Sequence, residues 1–342
     1  MSNKLTFIDL FAGIGGFRMA FERASCECIF ASEKNKFSRH TYSVNFLEEE
    51  IHWRDAEKIE DHPELFGDIR DVDAEEIPDF NILAAGFPCP TFSIAGVSKR
   101  NSLGWDVGLE DDDKGKLFFE IARILREKQP EAFLLENVKN LTNINSGETF
   151  QLMLSVLNEE LGYEPVTWKI FDAAKLVPQH RERVLIAGFR EDLGINFDLN
   201  NIEIEDRNPQ LKDILLPFDE VAEEYTLSDD LWEYLQSYKE KHRAKGNGFG
   251  YSIADPDGVT RTMSARYHKD GSEILIEQPG DRNPRMLTER EAARLFGYPE
   301  DFKIPVSKTQ AYQQFGNTVA VPVAEKVAKE LCAELRRSEI TG

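Results

Sequence analysis

The sequence predicts an α/β fold, a parallel sheet covered by helices and followed by a smaller, loop-rich domain. Three observations predict it. Strand-like apolar runs alternate with helical patterns over the first 190 residues. The rhythm breaks after Arg190, where residues 191–235 become acidic and irregular. Residues 246–284 are then rich in Gly, Pro, Asn and Asp, which suits loops.

In chain order, the strands are expected at Leu5–Leu10, Cys28–Ser32, Phe80–Ala85, Ala132–Leu135 and Val184–Phe189, each a short apolar run. Helices are expected at Phe17–Arg23, Leu117–Glu127 and Thr149–Leu161. The loop-rich part holds short strand-like pieces such as Glu273–Glu277. The last stretch returns to a helix, with Val323, Val327, Leu331 and Leu335 at four-residue spacing on one face.

Composition sets limits. With 41% hydrophobic and 30% charged residues the balance is that of a globular chain, and no apolar run is long enough for a membrane span. The N-terminus MSNKLTFIDLF lacks the pattern of a secretion signal. Four cysteines, Cys26, Cys28, Cys89 and Cys332, suggest no disulfide framework, which points to a reducing cytoplasm. The formal net charge of −21 argues against a nucleic-acid partner, because duplex phosphates repel an acidic surface. The acid is concentrated, however. Residues 47–79 hold 14 Asp/Glu against 3 Lys/Arg, and residues 203–233 hold 11 against 2, so the remaining chain is nearly neutral. Basic clusters stand at Lys239–Lys245 and at Arg261, Arg266 and Lys269.

The segment Phe7–Phe17, FIDLFAGIGGF, reads as a strand and a glycine-rich turn into a helix. Its glycines permit positive φ and close backbone approach, and a helix N-terminus offers free N–H groups to a polar ligand. The spacing is G-x-G-G, not the dinucleotide G-x-G-x-x-G, and a simple tight turn is the alternative. Glu33, 17 residues after Gly16, ends the next strand, where a carboxylate accepts hydrogen bonds from ribose hydroxyls. Cys89, in GFPCPTFS, follows an apolar strand at the sheet's carboxyl edge, between two prolines that restrict the backbone. A thiol there needs nearby positive charge to become a nucleophilic thiolate. Cys26, Cys28 and Cys332 read as small buried apolar side chains, and no zinc-ligand spacing is present, so no metal site is expected. Glu136 and Asn137 end another apolar strand, where desolvation raises a carboxyl pKa enough for proton donation. Arg181 and Arg183 alternate before the run Val184–Gly188, share one face, and could hold a carboxylate or phosphate. Taken singly, each of these segments reads equally well as a solvated strand end.

Taken together they resemble the DNA (cytosine-5) methyltransferase family of bacterial and phage restriction-modification systems. FAGIGG at Phe11–Gly16, FPC at Phe87–Cys89, ENV at Glu136–Val138, QHRERV at Gln179–Val184, RMLTEREAARLFGYP at Arg285–Pro299 and QFGNTVAVPV at Gln314–Val323 run in the family's order. The resemblance covers nearly everything except about residues 195–260. It implies a Rossmann-like S-adenosylmethionine-dependent methyltransferase sheet with a target-recognition domain. The implied division is a catalytic and cofactor-binding domain over 1–193, target recognition over 194–285, a hinge over 286–316 and a C-terminal segment over 317–342 returning to the catalytic domain.

The resemblance further implies that Cys89 attacks carbon 6 of a flipped-out cytosine while Glu136 protonates ring nitrogen 3. Arg181 and Arg183 would position the base and the catalytic groups. Phe11, Ile14, Gly16, Glu33, Asp68, Ile69, Pro88, Leu117 and Asn317 would surround S-adenosyl-L-methionine. Ser93, Lys114, Thr260, Arg261 and Arg266 would touch DNA. The implied partner is double-stranded DNA in the cytoplasm, at the nucleoid, met by a monomer; a cognate restriction endonuclease acting on the same site is a natural companion. The chain departs from the family at Pro90, where many members carry glutamine, at Lys34, where an aromatic residue often stacks on adenine, and at Lys114, where an arginine commonly meets phosphate. Competing readings are an RNA methyltransferase of the same chemistry, a nicotinamide-dependent oxidoreductase, which predicts the absent G-x-G-x-x-G, and a non-catalytic DNA-binding relative.

Overall fold

The computed structural model describes residues 4–48, 52, 54, 61–62, 64–88, 113–248 and 250–341. Its elements run β1 (Thr6–Leu10), α1 (Gly16–Arg23), β2 (Glu27–Ser32), α2 (Lys36–Phe46), β3 (Asp61–His62), β4 (Leu65–Phe66), β5 (Ile82–Gly86), α3 (Asp113–Lys128) and β6 (Ala132–Val138). They continue with α4 (Glu148–Ser155), β7 (Tyr163–Asp172), β8 (Glu182–Arg190), α5 (Asp229–Ala244), α6 (Glu289–Leu295), α7 (Lys308–Asn317) and α8 (Val321–Thr341).

The described strands form one sheet in the order β3-β4-β2-β1-β5-β6-β8-β7. From β4 to β6 neighbouring strands are parallel, and β1 and β5 at the centre are buried on both faces, hence their continuous apolar runs. The strand expected at Val184–Phe189 corrects the all-parallel expectation. It is β8, and it runs antiparallel to both neighbours. It enters between β6 and β7 after the nine-residue connection 173–181 from β7, shorter than the crossover a parallel pairing needs. β7 itself escapes the apolar-run criterion because YEPVTWKIFD is an edge strand, half-buried along most of its length.

Both faces are covered. One carries α1 and α8, the other α3 and α4. The expected terminal helix is present, and Val323, Val327, Leu331 and Leu335 are its buried stripe. Helix α8 lies against α1 and the start of β2. Arg23 pairs with Glu325 at 3.1 Å, the Cys26 and Cys332 sulfurs touch at 3.1 Å, and Arg336 donates to the Ala24 carbonyl at 2.9 Å.

Residues 191–285 are mostly single turns and isolated bridges, as their composition suggests. Within Glu273–Glu277 only Leu275 and Ile276 make bridges, so no regular strand forms. Helix α5 begins inside the stretch expected to be irregular, started by Ser228, whose hydroxyl accepts from the Leu231 amide, and by Asp229 and Asp230 in the first turn. Another core joins α6 and α7 to Met263, Tyr267 and Ile276, and to Ile14 and Met19 of the first unit. Arg285 and Glu291 form a bidentate pair at its centre, at 2.7 and 2.8 Å with both side chains fully buried. Glu291 also caps α6 by accepting from the Thr288 amide at 2.7 Å.

The functional consequence is one sheet edge. The loops after β1, β2, β5 and β6 all leave the carboxyl ends of parallel strands, where α/β sheets place their ligands.

Candidate active site

A cleft of about 910 Å³ opens at that edge, within the size range of ligand sites. It is lined by the loops after β1, β2, β4, β5 and β6, by the start of β8, by Ala265, Arg266 and His268, and by the α7–α8 junction. All nine residues expected around the cofactor border it: Phe11, Ile14, Gly16, Glu33, Asp68, Ile69, Pro88, Leu117 and Asn317. Glu136, Arg181, Arg183 and Arg266 border it too.

The glycine-rich turn is built for close approach. Phe11, Gly13 and Gly15 all have positive φ, at 56°, 56° and 83°. Gly16 serves packing instead. A Cβ there would stand 2.7 Å from the Thr318 hydroxyl and 2.8 Å from a Val319 methyl, so its missing side chain lets the α7–α8 junction close over α1. Glu33 ties this turn to β2 by accepting from the Gly13 amide at 2.8 Å and the Asn35 amide at 2.6 Å. Burial pushes its carboxyl pKa up, against the pull of these backbone donors. A carboxylate accepts at about four lone-pair sites, so room remains for hydroxyl donors from the cleft.

Asp68 lies across the cleft and is already occupied. Arg70 donates to it through Nη2 at 2.6 Å and Nε at 3.0 Å, and the Lys34 ammonium stands 2.9 Å away. The Arg70 hydrogen bond, aided by Lys34, holds this carboxyl well below the usual range. The departure at Lys34 thus has a structural counterpart: an exposed cation where the family commonly stacks a ring.

At the end of β6, Glu136 is nearly buried, and the Arg183 Nε lies 3.0 Å from its Oε1. Burial pushes the Glu136 pKa up, while the Arg183 and Arg181 charges oppose the rise. The next residue, Asn137, donates from Nδ2 to the Phe87 carbonyl at 2.9 Å, and so anchors the segment that leads into Cys89. Asn137 was visible in sequence as part of ENV, but its partner was not.

Arg181 and Arg183 make different contacts, Arg183 with Glu136 and Arg181 with backbone carbonyls. Arg181 is buried and donates to the carbonyls of Thr318 at 2.6 Å, Gly316 at 3.1 Å and Met263 at 3.4 Å. It joins the sheet to the 263 segment and to the α7–α8 junction, and it also borders the cleft. Its guanidinium also stacks over Phe296 at 4.9 Å. Burial lowers its pKa to about 9, which leaves it charged at neutral pH.

Cys89 and Ser93 lie outside the described residues, as does the Lys114 side chain; the Lys114 backbone is in the first turn of α3. Thr260, expected to touch DNA, is placed behind the surface. It is buried, and its hydroxyl donates to the Pro178 carbonyl at 3.1 Å, so it fastens strand-like segments together. Arg261 is exposed away from the cleft lining, whereas Arg266 is exposed on its wall. Gly316 allows this wall to form, because a Cβ there would collide with the Ser264–Ala265 backbone.

The family model for C-5 cytosine-specific DNA methylases matches residues 5–333. The chain belongs to that family. The DNA-cytosine methyltransferase of Escherichia coli K12 is 42% identical over 97% of this chain and 78% of that protein. Type II methyltransferase M1.ScrFI of Lactococcus lactis subsp. cremoris is 45% identical over 98% and 80%. Type II methyltransferase M.HpaII of Haemophilus parainfluenzae is 38% identical over 98% and 91%. Among solved structures, the S. pombe Dnmt2 methyltransferase superposes with a TM-score of 0.73 at 18% identity, over 97% of this chain and 99% of that one. That likeness shows the methylase fold, in agreement with the Rossmann-like sheet expected from sequence.

Proposed function

We propose that this methylase transfers a methyl group from S-adenosyl-L-methionine to carbon 5 of a cytosine in a specific double-stranded DNA sequence, through a covalent bond between Cys89 and carbon 6. The observation that carries the reading is the shared cleft: the Phe11–Gly16 turn with Glu33 lies in one cavity with Glu136, Arg183 and the Phe87–Pro88 segment leading into Cys89.

The residues fit the cofactor. The spare acceptor sites of Glu33 suit a ribose diol, and the backbone of the positive-φ turn suits a close-lying polar chain. Phe11, Ile14, Pro88, Leu117 and Asn317 would complete the pocket. S-adenosyl-L-methionine would supply an electrophilic methyl group.

The chain's own residues do the rest. A base stacked in a duplex is out of reach, so the target must be flipped into the cleft. The Cys89 thiolate adds to carbon 6, the electron pair of the 5,6 double bond shifts to the 4,5 position, and the pair of the carbon 4–nitrogen 3 double bond moves onto nitrogen 3. Glu136, whose proton affinity burial raises, donates a proton to ring nitrogen 3, so negative charge does not accumulate. Arg183 orients that carboxyl. Carbon 5 becomes nucleophilic and takes the methyl group; a water then accepts the carbon 5 proton as Cys89 leaves as the thiolate, and nitrogen 3 returns its proton to the Glu136 carboxylate, which restores the ring.

The relatives' names favour DNA over RNA as the substrate. They also place two of the named relatives among type II enzymes, so a restriction endonuclease of matching specificity is the expected companion. Bisulfite sequencing of DNA from cells that express this chain tests the function. Cytosines in one sequence context should resist conversion. Full conversion everywhere, or resistance only in RNA, would overturn it.

A further inference from the structure

The basic cluster of the recognition region has no part in the cleft. Helix α5 packs by Leu235 against Leu227 and Leu275, beside Trp232 and Tyr251. Leu275 and Ile276 bridge to Ile253 and Arg285, and the turn just before them carries Arg266 and His268 to the cleft wall. The helix and the wall are therefore parts of one packed body.

At 3.6 residues per turn, Tyr234, Tyr238 and Lys241 of α5 and Lys245, the residue that caps its C-terminus, fall within about 60° of one another around the helix axis. They form one stripe. Tyr234 is 58% exposed, and its ring lies 6.0 Å from that of Tyr238. Lys241 and Lys245 are exposed, and neither ammonium is ion-paired within the described residues. Such a stripe is out of character in a chain with a net charge of −21, where many other cations are paired. A helix C-terminus favours cations, but it gives no reason for tyrosines on the same stripe.

We propose that this stripe binds the phosphate backbone of the duplex beside the target base, with Lys241 and Lys245 as point charges and the tyrosine hydroxyls as hydrogen-bond donors. Charge complementarity carries the assignment: phosphate contacts commonly use Lys and Tyr, and they position a duplex without reading its sequence. The proposal rests on DNA being the substrate. Arg243 supplies an internal control, since it is exposed on the same helix but stands roughly opposite the stripe.

The test is duplex binding by the full chain, measured by fluorescence anisotropy between 50 and 200 mM salt, with S-adenosylhomocysteine binding followed in parallel. K241Q/K245Q should lower the slope of log affinity against log salt by about 1.8, at about 0.9 per lost phosphate contact, on cognate and unrelated sequences alike. R243Q should leave the slope nearly unchanged, and both variants should bind S-adenosylhomocysteine normally. An unchanged slope in K241Q/K245Q overturns the proposal, as does an equal loss per charge in R243Q, which would indicate net charge alone. If the unaltered chain binds S-adenosylhomocysteine but no duplex, the DNA reading itself fails and takes this one with it.

Discussion

The Asn137 Nδ2 donates to the Phe87 carbonyl at 2.9 Å, so the strand that carries Glu136 also holds the segment that leads to Cys89. The proposed acid and the segment leading to the proposed nucleophile are thus tied through a single buried amide. Asn137→Ala removes that reference. Single-turnover methylation should slow by roughly tenfold to a hundredfold, the cost of misplacing a reacting group by about 1 Å. S-adenosylhomocysteine affinity should be nearly unchanged. An unchanged rate would show that the hydrogen bond does not position the thiol.

Glu136 sets a pH dependence with a defined sign. Burial raises its folded pKa above the ordinary 4.5, so the native chain holds this proton more tightly than the unfolded chain. Its contribution to stability is largest at low pH and falls as pH rises from 4.5 toward the folded value. The proposed mechanism uses the protonated form, so kcat/KM should decline as pH rises through the folded value. Arg183→Met removes the nearest charge that opposes the rise, so this limb should move to higher pH while activity falls at every pH. A limb that stays in place, or moves to lower pH, would remove Glu136 from the acid's role.

Arg181 is expected to act mainly through stability. Arg181→Met leaves three carbonyls without their donor, at Met263, Gly316 and Thr318. Charged hydrogen bonds contribute about 1.5–3 kcal/mol each, and losses at one site are not additive, so the loss should be about 3 kcal/mol. Urea denaturation measures it. S-adenosylhomocysteine binding should also weaken, because Asn317 lies between two of the released carbonyls. A loss under about 1 kcal/mol would mean that the junction holds without Arg181.

Lys34 should oppose cofactor binding. Its ammonium occupies Asp68, the carboxylate expected to meet adenine. Lys34→Met should tighten S-adenosylhomocysteine binding by a few-fold, in keeping with about 0–1 kcal/mol for an exposed ion pair. In the unaltered chain, moderate salt should tighten binding slightly by screening that pair. Weaker binding by Lys34→Met, measured by calorimetry, would instead assign the lysine a direct contact.

Much of this was readable in the sequence, for physical reasons. Buried parallel strands must be apolar throughout, so β1, β5 and β6 announce themselves, and the chemistry at their ends stands out against that background. The α8 stripe is legible because one face of a surface helix is buried and the other is not. Other features depend on partners far away in the chain. Arg181 reads like its neighbour Arg183 because both are alternating cations; only the fold shows that one meets a carboxylate and the other meets carbonyls more than 80 residues away. Thr260 looks like a surface hydroxyl within TRTMSAR, yet it is buried against Pro178. Edge strand β7 and helix α5 were missed because a half-buried element need not show a continuous apolar run.

The most direct test concerns Cys89. Duplex DNA containing 5-fluorocytosine at the methylated position should trap the chain in the presence of S-adenosyl-L-methionine, because fluorine cannot leave as a proton does. The account predicts a complex that survives denaturing electrophoresis, with mass spectrometry placing the nucleotide on Cys89, and no complex from Cys89→Ser. No trapped complex with DNA that the enzyme methylates in its ordinary form, or attachment at another residue, would contradict it.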